Sequence, residues 1–316
     1  MSSPVLVELV RSGVVESVHR ASVLALRPDG SIALALGAVD APVFPRSSNK
    51  PLQAVGLLEA GWQPADTEVL ALATASHSGQ PEHLEVVRRC LAAAGLSEAA
   101  LQCPPLLPLS EAAAHALLAV GRTASRLTMN CSGKHAAMLA TCVANGWSAE
   151  DYLRADHPVQ QAMTRTIERL AGEPVRHVAV DGCGAPQHAL TLTGLARAFA
   201  QLATGDGPAG RTADAMRAHP HLVGGTGRDV TALHEGVPGL VCKDGAEGVY
   251  AAGLADGSAV AVKVDDGATR AAVVVLAGGL RALGVDAEVL DRVGSAVVLG
   301  GGEPVGVLRP AGALAR

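Results

Sequence analysis

Short β-type runs lie at both ends of this chain, and helical patterns fill the middle. Near the amino terminus they cover residues 5–10, 14–19 and 22–26, and an Arg-Pro-Asp-Gly turn at 27–30 joins the third run to residues 31–36 as a hairpin. In the last third, strand-like runs cover residues 240–243, 249–254, 259–264, 296–299 and 304–308. This layout predicts an α+β fold in which both ends meet in one mainly antiparallel sheet with flanking helices.

Helical patterns in the middle cover residues 82–94, 110–120, 136–145, 160–171 and 190–204, and residues 205–210 resemble a flexible glycine turn. No repeat and no linker divides the chain. We therefore expect residues 1–316 to form a single catalytic domain, with an α/β part and a helical part as the possible subdivision.

Composition and charge exclude several classes of function. Aromatic residues are only 2% of a chain that is 49% hydrophobic, so alanine, valine and leucine must fill the core. The net charge is −5 and no basic run occurs, so we expect no nucleic-acid partner. The chain has neither a secretory signal pattern nor an apolar run of membrane-spanning length, so we expect no membrane partner and a cytoplasmic location.

The segment from Arg46 to Gln53 carries the first candidate chemistry. Ser47 and Lys50 are three residues apart, a spacing that places both side chains on one face of a helix. A lysine that loses its proton through burial or a neighbouring cation can activate a serine hydroxyl. The penicillin-recognising serine enzymes use a Ser-x-x-Lys motif of this kind. The alternative interpretation is a capped helix start with an ordinary surface lysine.

Lysine is rare in this chain, which gives each one more weight. Of the 25 basic residues, only Lys50, Lys134, Lys243 and Lys263 are lysines. Arginine cannot give up its proton in a protein, whereas a buried lysine can. A position that remains lysine is therefore a candidate for a titratable amine, although codon bias would also leave a few lysines.

Reactive residue types also concentrate in loops at residues 76–79, 130–135 and 181–186. Cys131, Lys134, His135, Asp181 and Cys183 include the ligand types that zinc prefers. Neither a Cys-x-x-Cys nor a His-Glu-x-x-His pattern supports the site by spacing, so two unrelated cysteines remain the alternative.

Taken in order, these motifs resemble those of the asparaginase II family, the rhizobial-type zinc-associated asparaginases. The resemblance spans nearly the whole chain, beginning with Glu16-x-x-His19-Arg20. Its motifs are Arg46-Ser47-x-x-Lys50-Pro51, Ala75-Ser76-His77-Ser78-Gly79, Asn130-Cys131-Ser132-Gly133-Lys134-His135, Asp181-Gly182-Cys183, and Lys263 within Val-Lys-Val-Asp-Asp-Gly.

The resemblance implies a fold similar to that of the serine β-lactamases, a homodimer, and L-asparagine as substrate. It implies two catalytic pairs, Ser47–Lys50 and Ser76–Lys263, and a zinc ion held by Cys131, Lys134 and Cys183. It also implies substrate or metal contacts from five residues, which are Arg46, His77, Asn130, His135 and Asp181. The Ser-Asp-Asn and Lys-Thr-Gly triplets of the β-lactamases are absent where they would be expected, which favours a small linear amide over a penicillin.

Three functional hypotheses remain open from the sequence. The first is hydrolysis of L-asparagine to L-aspartate and ammonia through an acyl-enzyme, with Ser47 or Ser76 as nucleophile. The second is a β-lactamase-like serine hydrolase. The third is a non-catalytic protein that binds an amino acid or a metal on a hydrolase fold.

Overall fold

An eight-stranded antiparallel sheet is the centre of the computed structural model, which describes residues 3–315. Its strands are β1 (Val5–Arg11), β2 (Val14–Leu26), β3 (Ile32–Leu36), β6 (Val241–Gly245), β7 (Val249–Gly253), β8 (Ala259–Val264), β9 (Ala296–Gly300) and β10 (Glu303–Pro310). They lie in the order β6-β7-β8-β2-β1-β10-β9, with β3 paired to β2. Because β1 pairs with β10, the two ends of the chain meet in one sheet, which confirms the predicted α+β class.

The second strand differs from the prediction of two separate runs. Residues 14–26 form one 13-residue strand that pairs with β1 along its first part and with β8 and β3 along its second part. Its first part is largely exposed, whereas Val23 to Leu26 are buried. The strand therefore joins two regions of the sheet, and only its second part is buried throughout.

The helices pack against both faces of the sheet, since Gly253 of β7 faces one helix and the next side chain along β8, Val260, faces another on the opposite side. They are α1 (Lys50–Glu59), α2 (Thr67–Ala73), α3 (Pro81–Ala93), α4 (Glu111–Ala119), α5 (Ser132–Asn145), α6 (Pro158–Ala171), α7 (Leu192–Thr204), α8 (Gly207–Ala218), α9 (Pro220–Val223), α10 (Asp229–Gly236), α11 (Thr269–Ala282) and α12 (Glu288–Val293). A small hairpin of β4 (Val178–Val180) and β5 (Pro186–His188) lies outside the main sheet. Short 3₁₀ helices occupy Arg46–Asn49, Glu98–Ala100 and Gly312–Leu314.

Close backbone contacts hold the layers together. A Cβ atom at Gly253 of β7 would lie 2.2 Å from the carbonyl oxygen of Phe199, so α7 rests directly on the sheet. A Cβ atom at Gly56 of α1 would lie 2.9 Å from the Cα of Met163 in α6. Glycine at these positions allows small side chains to fill the core without large aromatic residues.

The predicted helices are present, but the predicted turn at 205–210 is wrong beyond its first residues. α8 already begins at Gly207, and Pro208 at its first turn is compatible with a helix start because its missing N–H needs no partner there. The short helices α10 and α12 escaped prediction because a few residues give little periodicity. Within residues 3–315, no helix combines the length and the apolar character needed to cross a membrane.

Candidate active site

The Ser-x-x-Lys motif lies where the 3₁₀ helix Arg46–Asn49 continues into α1. Pro51 follows at the first turn of α1, where a proline is tolerated. Ser47 and Lys50 therefore face the same side of a continuous helical run. Lys50 is 1% exposed, whereas Ser47 is half-buried. The buried position excludes the surface-lysine interpretation.

The amine of Lys50 contacts the loop that carries the second serine. Its Nζ donates hydrogen bonds to the carbonyl oxygen of Ala75 at 2.5 Å and to the hydroxyl of Ser76 at 3.1 Å. Ser76 is 3% exposed, so this contact is shielded from water. Lys50 thus contacts Ser76 and shares a helical face with Ser47.

Lys263 is not the partner of Ser76 in this structure, which corrects the pairing implied by the resemblance. Its Nζ donates to the carbonyl oxygens of Glu247, at 2.7 Å, and of Val264. The register explains this, because Lys263 lies on β8 between Val249 of β7 and Ser22 of β2. Strand β7 therefore separates Lys263 from the edge strand β6.

Lys243 of the edge strand β6 lies nearer to the Ser–Lys site and was not selected from the sequence. Its side chain is completely buried. Burial lowers its pKa to about 8, and the positive charge of Lys50 contributes, although the carboxylate of Asp244 opposes the change. The sequence signal that could have identified Lys243 is the triplet Lys243-Asp244-Gly245. It matches the Lys-Thr-Gly motif of the β-lactamases except at its central residue.

The edge strand meets the serine helix at Gly245. A Cβ atom there would lie 2.4 Å from the carbonyl oxygen of Pro45 and 3.2 Å from the backbone nitrogen of Ser48. Only glycine allows the strand to pass this close to the 3₁₀ helix. The contact brings the strand that carries Lys243 against the helix that carries Ser47.

Arg228 joins the strand to the Ser76 loop. Its Nη1 donates to the carbonyl oxygen of Ser76 at 3.3 Å, and its Nη2 donates to Asp244 Oδ2 at 2.6 Å. Asp244 also pairs with Lys243. Although burial opposes it, the cations Lys243 and Arg228 lower the pKa of Asp244 to about 2, so the carboxylate stays ionised. Lys50 and Lys243 therefore both lie near the ion pair between Arg228 and Asp244.

The three predicted zinc ligands come together in the structure. Cys131, Lys134 and Cys183 are all buried, and Lys134 Nζ lies 3.3 Å from Cys183 Sγ. A hydrogen bond from Cys131 and the charge of Lys134 lower the pKa of the Cys183 thiol far below its ordinary value, in spite of burial. The cluster thus favours a thiolate, which is the form that binds metal.

His135 supplies an observation that tests whether zinc fits this cluster. Its Nδ1 lies 2.7 Å from the hydroxyl of Tyr152, whereas its buried Nε2 has no hydrogen-bond partner among residues 3–315. Burial lowers the pKa of His135, and the negative charge of the Cys183 thiolate opposes this fall, which places the ring near the thiol. Thiolate sulfur and imidazole nitrogen are donors that zinc prefers, and the lysine amine beside them is an unusual third donor that must be neutral to bind.

Arg46 and Asp181 connect the serine helix to the thiol cluster. Arg46 Nε donates to Asp181 Oδ1 at 2.7 Å, and Asp181 also accepts from the backbone nitrogen of Gly182. Arg46 has a φ of +53°, a left-handed conformation that is unusual for a residue other than glycine. Such strain tends to occur at functional sites, where the surroundings hold the residue in place.

His77 holds two of the loops together rather than facing the open side of the site. The backbone nitrogen of Gly79 donates to its Nδ1, so Nε2 carries the proton and donates to Ser132 Oγ at 2.8 Å. Its backbone nitrogen donates to the carbonyl oxygen of Asn130. Burial lowers the pKa of His77 well below its ordinary value, which keeps the ring neutral. The side chain of Asn130 is half-buried beside Cys131.

Solved structures of Mglu are distantly similar to this chain. The native form of Mglu has 14% sequence identity and a TM-score of 0.43 over 84% of this chain and 62% of that chain. Its tris and glutamate form has 14% identity and a TM-score of 0.46 over 88% and 63% of the two chains. The chain thus spans about three fifths of the length of these structures. No curated protein matches significantly.

The sequence model of the L-asparaginase II family matches residues 7–310. The match extends from β1 to β10 and includes every loop of the site described above. The chain therefore belongs to the L-asparaginase II family.

Proposed function

We propose that this protein hydrolyses L-asparagine to L-aspartate and ammonia through an acyl-enzyme. The observation that carries the proposal is the buried amine of Lys50, which lies 3.1 Å from Ser76 Oγ and on the same helical face as Ser47. A buried lysine beside a serine hydroxyl can accept its proton when the hydroxyl attacks an amide.

Ser47 is the nucleophile in this proposal, with Lys50 as its general base. The amine of Lys50 donates to Ala75 and Ser76, and the i, i+3 spacing places the hydroxyl of Ser47 on the same helical face as this amine. Ser47 is also half-buried, whereas Ser76 is 3% exposed, so a substrate reaches Ser47 more easily.

The reaction then follows the usual course of acyl transfer. Ser47 Oγ bonds to the side-chain amide carbon of asparagine, and its proton passes to Lys50. The C–N bond breaks as the leaving nitrogen takes a proton, and ammonia departs. A water molecule attacks the acyl-enzyme, releases aspartate and returns the proton to Ser47. Lys243, whose pKa is about 8, can donate and recover a proton near neutral pH.

Arg46 and Asp181 are suited to the two charged ends of a free amino acid. Their charges are opposite and lie beside the serine helix, where a guanidinium can bind the α-carboxylate and a carboxylate the α-ammonium. The half-buried Asn130 side chain and His135 complete this side of the proposed cleft. In this proposal, His77 is a positioning residue that holds Ser132 and the Ser76 loop.

We also propose that the thiol cluster binds zinc through Cys131, Cys183 and Lys134, as implied by the resemblance. Bound zinc would supply a Lewis-acid contact that orients the substrate. Removal of the metal should then raise KM more than it lowers kcat. The homodimer implied by the resemblance and the cytoplasmic location expected from the sequence complete the proposal.

Ammonia release from asparagine is the decisive assay for the proposed activity. The wild-type protein should release one ammonia for each aspartate formed, and Ser47→Ala should abolish this release. Ser76→Ala should retain an acyl adduct on Ser47 when substrate is trapped by acid and analysed by mass spectrometry. Binding of asparagine without ammonia would instead support the non-catalytic hypothesis, and an adduct on Ser76 would reverse the assignment of the nucleophile.

A β-lactamase-like activity is the second candidate, and Lys243-Asp244-Gly245 beside Ser47 is the observation that favours it. Gly245 approaches the serine helix closely, as a strand that borders a substrate cleft would. Asp244 differs from the threonine of the Lys-Thr-Gly motif and adds a negative charge where penicillins carry a carboxylate. An intact mass that is unchanged after incubation with a penicillin would exclude this candidate.

A further inference from the structure

A second cluster of metal-ligating side chains lies outside the thiol site. Glu82 and His83 occupy the first turn of α3, and His221 occupies α9. One ligand atom from each of the three lies within 4.8 Å of the other two. We propose that this Glu–His–His cluster binds a Zn²⁺ ion, in addition to any metal held by the thiols.

The spacing needs only small side-chain movements to accommodate an ion. Zinc holds nitrogen and oxygen ligands at about 2.0–2.2 Å, so ligand atoms around a tetrahedral ion lie about 3.3 Å apart. His221 Nε2 already lies 2.6 Å from Glu82 Oε1. Their side chains are 38% and 44% exposed, so both can rotate and an ion can reach them. Metal would replace the proton that they now share.

His83 is held in the tautomer that a metal ligand requires. Its Nε2 lies 3.0 Å from the carbonyl oxygen of His221, which only accepts hydrogen bonds, so Nε2 carries the proton. Nδ1 therefore has a lone pair, and this buried atom has no partner among residues 3–315. Metal-binding histidines commonly donate their other ring N–H to a backbone carbonyl in this way.

The cluster is connected to the active site through stacked imidazole rings. The rings of His83 and His221 have centroids 5.2 Å apart, and those of His83 and His77 are 5.4 Å apart with an angle of 19°. His77 follows Ser76 directly in the chain. An ion on Glu82, His83 and His221 would therefore fix α3 against α9 beside the Ser76 loop, without contacting the substrate.

The test is a zinc titration of the full chain with competing chelator buffers, and the metal content is read by elemental analysis. The wild-type protein should bind one zinc ion more than His221→Ala does, and its melting temperature should rise as this ion binds. Loss of one ligand should weaken this site by at least roughly tenfold. Glu82→Gln keeps the shape and a hydrogen-bonding side chain but removes the anionic ligand, so it should weaken the same site.

His115→Ala is the matched control, because His115 is an exposed histidine on α4 outside the cluster. It should leave both zinc content and affinity unchanged. Cobalt distinguishes the two sites, since thiolate ligands give intense near-ultraviolet charge-transfer bands and the Glu–His–His cluster gives none. The proposal would be overturned if His221→Ala and Glu82→Gln, folded as judged by circular dichroism, bound zinc as the wild type does.

Discussion

Replacement of Lys243 by methionine should separate catalysis from stability. The pKa of Lys243 falls from 10.5 to about 8, chiefly because burial disfavours the cation. At about 1.4 kcal/mol per pH unit, holding this amine as a cation costs about 3 kcal/mol of folding free energy. Methionine is similar in length and removes this cost, and Asp244 keeps Arg228 as a partner at 2.6 Å.

The cost depends on pH in a defined direction. Below pH 8 the amine is protonated in both the folded and the unfolded chain, so the full cost is present. Between about 8 and 10.5 the unfolded chain keeps a proton that the folded chain has lost. The contribution of Lys243 to the free energy of unfolding therefore rises with pH through this window, and the cost is absent above it.

We therefore expect Lys243→Met to lower kcat by about 10²–10⁴-fold, the usual contribution of a general acid or base. At pH 7 its free energy of unfolding should equal or exceed that of the wild type by up to about 3 kcal/mol. Urea unfolding at pH 7 and pH 10 measures this, and the difference between the two proteins should shrink at pH 10.

Lys263→Met is the matched control, because Lys263 is half-buried and its amine donates to the backbone carbonyls of Glu247 and Val264. It should retain turnover within a few-fold of the wild type. Loss of turnover in Lys263→Met together with its survival in Lys243→Met would refute the choice of Lys243. A stability difference that is the same at both pH values would refute the argument from the pKa.

Three further predictions concern the surroundings of the serine helix. Gly245→Ala should lower activity and stability, because the added Cβ would lie 2.4 Å from a backbone oxygen. Gly278→Ala is its control and should retain activity, because the added Cβ meets the movable end of the Leu314 side chain; enzyme kinetics and thermal melting compare the two variants. Cys183→Ser should lose the zinc measured by elemental analysis, whereas Cys90→Ser should retain it. An equal zinc content in both variants would show that Cys183 is not a zinc ligand. Asp181→Asn should raise KM for asparagine more than it lowers kcat, since it removes a charge that binds substrate; an unchanged KM would remove Asp181 from the substrate site.

Local patterns in the sequence were sufficient for much of the fold and for part of the site. Alternating runs and turn residues predicted most strands, because side-chain direction along a strand repeats every two residues. The i, i+3 spacing of Ser47 and Lys50 predicted their common helical face, because residues three apart are neighbours on the surface of a helix. The resemblance added Cys131, Lys134 and Cys183, whose side chains the structure brings together.

Only the tertiary structure decided which of these groups meet. Lys50 contacts Ser76 across 26 positions of sequence, and Lys134 contacts Cys183 across 49. Such contacts depend on how helices and strands pack, and no local periodicity encodes them. The strand order placed Lys243 on the edge beside the serine helix and Lys263 inside the sheet, although each lysine directly follows apolar strand residues in sequence. Packing of α3 against α9 likewise assembled Glu82, His83 and His221 from segments that share no motif.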